Sequence, residues 1–292
     1  MKITDETIQK HIKCYGLEQQ EYVHIRSSSN ETYYLKKDDY IIRFHHIEDQ
    51  DRSSDVIKNI SAQPYRSIII WNMQKNTVPC VKPFVEYSDE WISTLWFRGN
   101  EIVEDLDKNM CEALHKLHSM DKTTVQDSLC LSRMNIIDTI NTRYENILQL
   151  NIDPEIKDYL RTMVSIARKT HDLIAYSGDN TVHLDTYGGN LVEYRGYPCL
   201  IDLDTLSLGP WQYDYIVSLV SAQLFGDQME QRYIPSEVFS WELYDIAVHL
   251  RKTDMFSWVC DMSGISPEHY KEMIKRYESL RYNTDYQWNK TL

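Results

Sequence analysis

The chain of 292 residues is 42% hydrophobic and 26% charged, with a formal net charge of −13. That is an ordinary globular composition, long enough for one large domain or two lobes. It argues against nucleic acid as a partner, because phosphate backbones need basic surface, and no stretch approaches the apolar length of a membrane span.

Residues 1–16 carry charges throughout and no apolar signal-peptide core, so a cytoplasmic location is expected. The six cysteines, Cys14, Cys80, Cys111, Cys130, Cys199 and Cys260, show no C-x-x-C spacing. They fit neither a zinc site nor a disulfide framework and read as reduced, mostly buried thiols. Thr7–Cys14 predicts a short helix ending near Gly16. Tyr22–Arg26, Thr32–Lys36 and Tyr40–Phe44 predict an antiparallel meander, with the polar turn Ser27-Ser28-Ser29-Asn30 between its first strands. Such a turn offers hydroxyls and backbone N–H groups to an anion. Pro64 suits the first turn of a helix carrying Ile68, Ile69 and Trp71, closed by Thr77-Val78-Pro79. Strands are expected at Val81–Glu86 and Trp91–Phe97, and Phe97-Arg98-Gly99 reads as a hinge. Helices follow over 105–120, 134–150, 154–175, 213–225, 240–262 and 267–282. The fold class is therefore α+β: residues 1–98 form an N-terminal lobe with a five-stranded antiparallel sheet, and 99–292 a mostly helical lobe.

Within the second part lies His183-Leu184-Asp185-Thr186-Tyr187-Gly188-Gly189-Asn190, followed by Leu200-Ile201-Asp202-Leu203-Asp204. Phosphoryl transfer needs one carboxylate for the acceptor hydroxyl and oxygen ligands for Mg²⁺, and these two strings supply both. Leu191–Tyr194 and Tyr197–Ile201 flank Arg195-Gly196, a pair suited to a tight hairpin turn. That register sets 194 opposite 197 and 191 opposite 200, and brings Asn190 to within one residue of Asp202. Two such donors suffice for Mg²⁺, which takes its remaining ligands from nucleotide phosphates and water. The first 99 residues carry 13 basic and 14 acidic side chains, and the other 193 carry 18 and 30. Acidity in the second part would attract a cationic substrate, and the near-neutral first part suits a polyanionic nucleotide.

The order of elements and these motifs resemble the aminoglycoside phosphotransferases, small-molecule relatives of the protein kinases that include the choline kinases, over roughly residues 20 to 281. His183-x-Asp185-x-x-x-x-Asn190 is similar to that family's catalytic loop, and Leu200–Asp204 to its metal-binding segment. Leu208-Gly209-Pro210 with Asp214, Leu114–His118 and Asn76–Pro83 resemble further family stretches and fall in the same order. The resemblance implies a bilobal protein-kinase-like fold, with residues 1–98 as the nucleotide-binding lobe and 99–292 carrying the catalytic loop and substrate site. It implies Asp185 as the catalytic base, Asn190 and Asp202 as Mg²⁺ ligands, and Arg43 as the cation on the nucleotide phosphates. The turn at Ser27 and Ser28 would cover those phosphates, and Leu95 and Phe97 would meet the adenine edge through their backbone. Asp204 and Asp214 are expected to be structural, and His183 to brace the loop.

Three positions depart from the family pattern. Leu184 replaces a glycine, so its Cβ requires a backbone outside the region open only to glycine. Arg43 replaces a lysine and offers a planar fork. The helix that supplies an ion-pairing glutamate to that cation in kinases offers Gln63 or Arg66, and its nearest acids precede Pro64. The implied function is a Mg²⁺-dependent kinase moving the γ-phosphoryl group of ATP or GTP to a hydroxyl of a small molecule, first of all a cationic antibiotic. The alternatives are a metabolic kinase for an amino alcohol, sugar or amino acid of the choline or homoserine kind, and a catalytically weak nucleotide-binding regulator. Many of the 21 tyrosines and 7 tryptophans lie in the second part, where aromatic walls can take up cationic or ring-bearing ligands. The oligomeric state is not encoded in any motif.

Overall fold

The computed structural model describes residues 3–27, 30–47, 55–82, 85–88, 90–102, 104–226, 229–264, 266–284 and 286–289. It divides into two compact units: residues 1–103 with 191–204, and residues 104–190 with 205–292.

The first unit holds α1 (Asp5–Cys14), β1 (Tyr22–Ser27), β2 (Glu31–Leu35), β3 (Tyr40–His46), α2 (Asp55–Gln74), β4 (Glu86–Tyr87), β5 (Trp91–Phe97) and β6 (Asn100–Glu101). The strands from β1 to β5 form one antiparallel sheet in the order β1-β2-β3-β5-β4. Alternation along β3 decides which face does what. Ile42 and Phe44 point into a core with Leu35, Leu95 and the α1 residues Ile8 and Ile12. Arg43 and His45, one residue out of phase, share the opposite face with Thr94 and Ile92, and Ile92 packs there against Ile60 of α2. On the α1 side the Tyr15 hydroxyl donates to the Ser93 carbonyl at 2.6 Å, and His11 Nδ1 lies 2.6 Å from Ser93 Oγ.

Two expectations for this unit need correction. Pro64 lies inside α2, which begins at Asp55, instead of opening the helix. Its ring removes one backbone N–H bond, and its carbonyl accepts the Ser67 hydroxyl at 2.9 Å. The strand expected over Val81–Glu86 shrinks to an isolated Cys80–Trp96 bridge and the two residues of β4. Residues 83–84 of that stretch lie outside the described residues.

Strands β8 (Leu191–Tyr194) and β9 (Tyr197–Leu200) complete this unit as the ribbon β6-β8-β9. Leu191 pairs with Leu200 and Tyr194 with Tyr197, the register that the Arg195-Gly196 turn predicts. Both turn residues have positive φ, 54° and 79°, as a two-residue turn matched to strand twist requires. Tyr194 and Cys199 pack with Val78, beside Trp71 and Phe97. Leu200 N–H donates to the Asn76 carbonyl at 2.8 Å, so the ribbon is stitched to the segment after α2.

The second unit contains α3 (Leu106–His118), α4 (Lys122–Leu129), α5 (Ile136–Gln149), α6 (Pro154–Ala175), β7 (Asn180–Val182), β10 (Ser207–Gly209), α7 (Trp211–Phe225), α8 (Ser236–Phe239), α9 (Tyr244–Met262) and α10 (Pro267–Tyr282). Asp153 caps α6 by accepting from Glu155 N–H, with Pro154 in the first turn, residue types that favour a helix start. Helix α9 is buried around much of its circumference, through Leu250, Thr253, Phe256, Val259 and Cys260. It packs against α5, α6, α7 and α10, as a helix without a single apolar stripe must. All six cysteines are free, Cys14 and Cys130 exposed and the other four buried. No described helix is long and apolar enough to cross a membrane.

Candidate active site

In the second unit the short strands β7 and β10 pair antiparallel, Val182 opposite Ser207, and the chain leaves β7 directly into His183–Asn190. Asp214, fully buried on the first turn of α7, holds this segment. Its carboxylate accepts the backbone N–H groups of His183 and Leu184, each at 2.8 Å, and the ring of His118 at 2.9 Å. The Thr186 hydroxyl donates to the Asp214 carbonyl, Ser218 to the Thr186 carbonyl, and Thr205 to the His183 carbonyl. Leu184 adopts a left-handed φ of +69°, a region that residues with a Cβ enter rarely. Such strain costs roughly 1–3 kcal/mol, and the charged acceptor on its own amide offsets it, since hydrogen bonds to charged groups contribute about 1.5–3 kcal/mol.

The segment ends in a tight turn over Gly188–Asn190 that folds Asn190 back on Asp185. Asn190 Nδ2 donates to Asp185 Oδ2 at 3.0 Å and to the Asp185 carbonyl at 2.9 Å. With its amide nitrogen so engaged, Asn190 has Oδ1 as the atom able to take a cation. The other Asp185 oxygen, Oδ1, accepts from Arg251 Nη2 at 2.8 Å. Arg251 comes from α9 and reaches Asp254 through Nη1 at 2.9 Å. Asp254 in turn accepts from Arg143 of α5 at 2.7 Å. The Arg251 side chain is 8% exposed and that of Asp185 35%, so a buried cation stands behind an accessible carboxylate. Desolvation works against the guanidinium charge, and Asp185 followed by Asp254 overcomes it and raises the pKa. Arg251 was missed from sequence. Its only local signal is an aspartate three residues on, in the same helix.

The remaining expected residues lie in the first unit. Arg43 Nη2 donates to Asp202 Oδ1 at 3.0 Å, so a carboxylate from the chain after β9 stands against this cation. Gln63 of α2 is buried. Asp202 takes a left-handed backbone, φ +67°. The protein crowded around Asp204, ahead of the neighbouring Asp202 charge, raises its pKa above the ordinary carboxylate range. His45 shares the Arg43 face of β3, and burial, ahead of the Arg43 charge, lowers it to about 3. Leu95 is fully buried, and its carbonyl accepts Val81 N–H at 2.8 Å. Phe97 ends β5, paired with Tyr40. Ser27 closes β1, and Ser28 lies outside the described residues.

Two side chains, one in each unit, carry donors of the kind magnesium takes. Asp202 offers a carboxylate and Asn190 an amide oxygen. Among the described residues no group of three or more His, Cys, Asp or Glu could hold a metal by itself.

No protein-family model matches the chain, and no curated protein matches it in sequence. Solved structures do match. An amicoumacin kinase in complex with AMP-PNP and Ca²⁺ is 13% identical with a TM-score of 0.60, over 98% of this chain and 96% of that one. The streptomycin–ATP ternary complex of the phosphotransferase APH(2")-IIa is 15% identical with a TM-score of 0.59, over 98% of each chain. Choline kinase LicA from Streptococcus pneumoniae is 13% identical with a TM-score of 0.62, over 94% of this chain and 98% of that one. The chain has the protein-kinase-like fold that these small-molecule kinases share.

Proposed function

We propose that the protein is a small-molecule kinase that transfers the γ-phosphoryl group of a nucleoside triphosphate to a hydroxyl of its acceptor. The observation that carries this reading is the Asp185 carboxylate, accessible to solvent yet held by Arg251 and Asn190 on a loop anchored by buried Asp214. A carboxylate so held can accept the proton of an attacking hydroxyl without first having to be oriented, and a positioned base contributes about 10²- to 10⁴-fold. Asn190 and Asp202 would hold Mg²⁺, which when bound supplies charge neutralisation on the phosphates. Arg43, with its fork, would grip those phosphates. The turn at Ser27 and Ser28 would cover them, and backbone groups around Phe97 would meet the adenine edge. In this reading the first unit handles the nucleotide and the second holds the base and the acceptor.

For the acceptor, the excess of 30 acidic over 18 basic side chains after residue 99 favours a cationic compound such as an aminoglycoside-like antibiotic. The likeness to a choline kinase, whose fold matches as well as those of the antibiotic kinases, favours a second reading, a small cationic amino alcohol. The two separate in a coupled nucleotide-turnover screen with Mg²⁺, run with ATP and GTP against aminoglycosides, other cationic antibiotics, amino alcohols and sugars. Turnover that depends on one compound class and is lost in Asp185→Asn supports a kinase and names that class. Failure to bind either nucleotide would refute it.

A further inference from the structure

We propose that Arg251 is a positioning residue for the phosphoryl-transfer base: it fixes the Asp185 carboxylate so that one face of it stays turned to the acceptor hydroxyl. The inference rests on the reading of Asp185 as that base.

A free aspartate rotates about both side-chain bonds, and only some orientations present an oxygen lone pair to an incoming hydroxyl. Here both oxygens are tethered, Oδ1 by Arg251 at 2.8 Å and Oδ2 by Asn190 at 3.0 Å. Each oxygen keeps a further lone-pair direction, because a carboxylate accepts about four hydrogen bonds. Asn190 sits on the same loop and is also assigned to the metal, so it cannot fix the base independently of the cation. Arg251 can. It projects from the middle of α9, the helix packed against four others, and its guanidinium is itself anchored. Nη1 is on Asp254 at 2.9 Å, and Asp254 is held by Arg143 of α5 at 2.7 Å. Nη2 also lies 3.4 Å from Ser221 Oγ on α7. The restraint on Asp185 thus runs back through a planar fork into three packed helices.

The burial argues for a role beyond packing. Removing a guanidinium from water is costly, and exchanging a buried ion pair for well-packed apolar residues is often neutral or stabilising. Holding α9 against the loop therefore does not call for an arginine. Its Nε is buried without a hydrogen-bond partner among the described residues, so this side chain is placed for what Nη1 and Nη2 do at the expense of a satisfied Nε. Lysine would keep the charge but, as a single point, could not reproduce the two-pronged geometry that spans Asp254 and Asp185.

The test is a double-mutant cycle on steady-state phosphoryl transfer, with Arg251→Met and Arg251→Lys made alone and in the Asp185→Asn background. Misplacing a catalytic group by about 1 Å can cost ~10²-fold. Arg251→Met should therefore lower kcat by roughly 10- to 100-fold with the KM for nucleotide within about twofold, and Arg251→Lys should recover part of the loss. Because the residue acts through Asp185, Arg251→Met should cost nothing further in Asp185→Asn, as expected for groups that work as a unit. Wild-type kcat in Arg251→Met, or a full additional loss in the Asp185→Asn background, overturns the proposal. Should Arg251→Met not fold, Arg251→Lys carries the same cycle. Crystal structures of wild type and the Arg251 variant give a readout independent of turnover. The Asp185 carboxylate should leave its wild-type rotamer, and an unchanged rotamer overturns the proposal even if the wild type transfers no phosphate, which would separately refute the kinase reading.

Discussion

Replacing Asp214 by alanine should loosen the catalytic loop and the unit that carries it together. The carboxylate is fully buried and accepts two loop amides at 2.8 Å and the His118 ring at 2.9 Å. Hydrogen bonds to charged groups contribute about 1.5–3 kcal/mol each and do not add simply. Deleting the acceptor leaves the amides of His183 and Leu184 without it in the interior. Breaking one partner out of a buried charged network typically costs about 3–5 kcal/mol, and that is the loss expected here. At about 2–4 °C per kcal/mol for a unit of this size, the Tm should fall by about 6–20 °C. Asp214→Asn, which keeps one carbonyl acceptor, should lie between. Differential scanning calorimetry of the three proteins at one pH makes the comparison. A Tm within about 2 °C of wild type in Asp214→Ala would refute the reasoning, because it would mean that the loop keeps its left-handed Leu184 without the bond assigned to hold it.

Asp202→Ala should abolish Mg²⁺-dependent nucleotide binding in titration calorimetry while leaving the chain folded, since its partner Arg43 keeps partial access to solvent; unchanged affinity would put the metal elsewhere. Leu184→Gly removes a buried side chain worth about 1.5–3 kcal/mol of apolar burial and relieves left-handed strain of roughly 1–2 kcal/mol. The net loss in urea unfolding should stay below about 2 kcal/mol, and a loss of about 3 kcal/mol, the whole burial term, would show that no strain is relieved there. His11 is lowered to about 4, mainly by burial and then by Lys10, so it stays neutral in the fold and protonates more readily once unfolded. Its contribution is present above pH 6.5 and lost as pH falls from 6.5 toward 4, because the unfolded chain binds the extra proton. The Tm difference between wild type and His11→Gln should therefore shrink between pH 7 and pH 5; a constant difference would remove His11 from the acid response.

Much of this was legible where local chemistry is unambiguous. The hairpin register of Leu191–Leu200 followed from alternation and the Arg195-Gly196 turn, and α6 covers the 154–175 span expected from its apolar periodicity. Sequence reasoning failed where tertiary contacts outvote local signals. Pro64 reads as a helix start because proline favours first turns, but here packing carries α2 through it from Asp55. Strands β7 and β10 have three residues each, too few to show a period. The left-handed backbone of Leu184 is imposed by Asp214, thirty residues away in the chain. The Asp185–Arg251 contact spans 66 positions, and no spacing rule reaches that far. The grouping of 191–204 with the first 103 residues likewise depends on contacts such as Leu200 to Asn76.

The most direct test of the account follows the phosphoryl group itself: incubate the protein with Mg²⁺ and γ-labelled nucleotide plus the acceptor found in the turnover screen, and trace where the label goes. The account predicts covalent label on an acceptor hydroxyl with wild type, reduced by about 10²- to 10⁴-fold in Asp185→Asn. Label released only to water, or transferred equally well by both proteins, would contradict it.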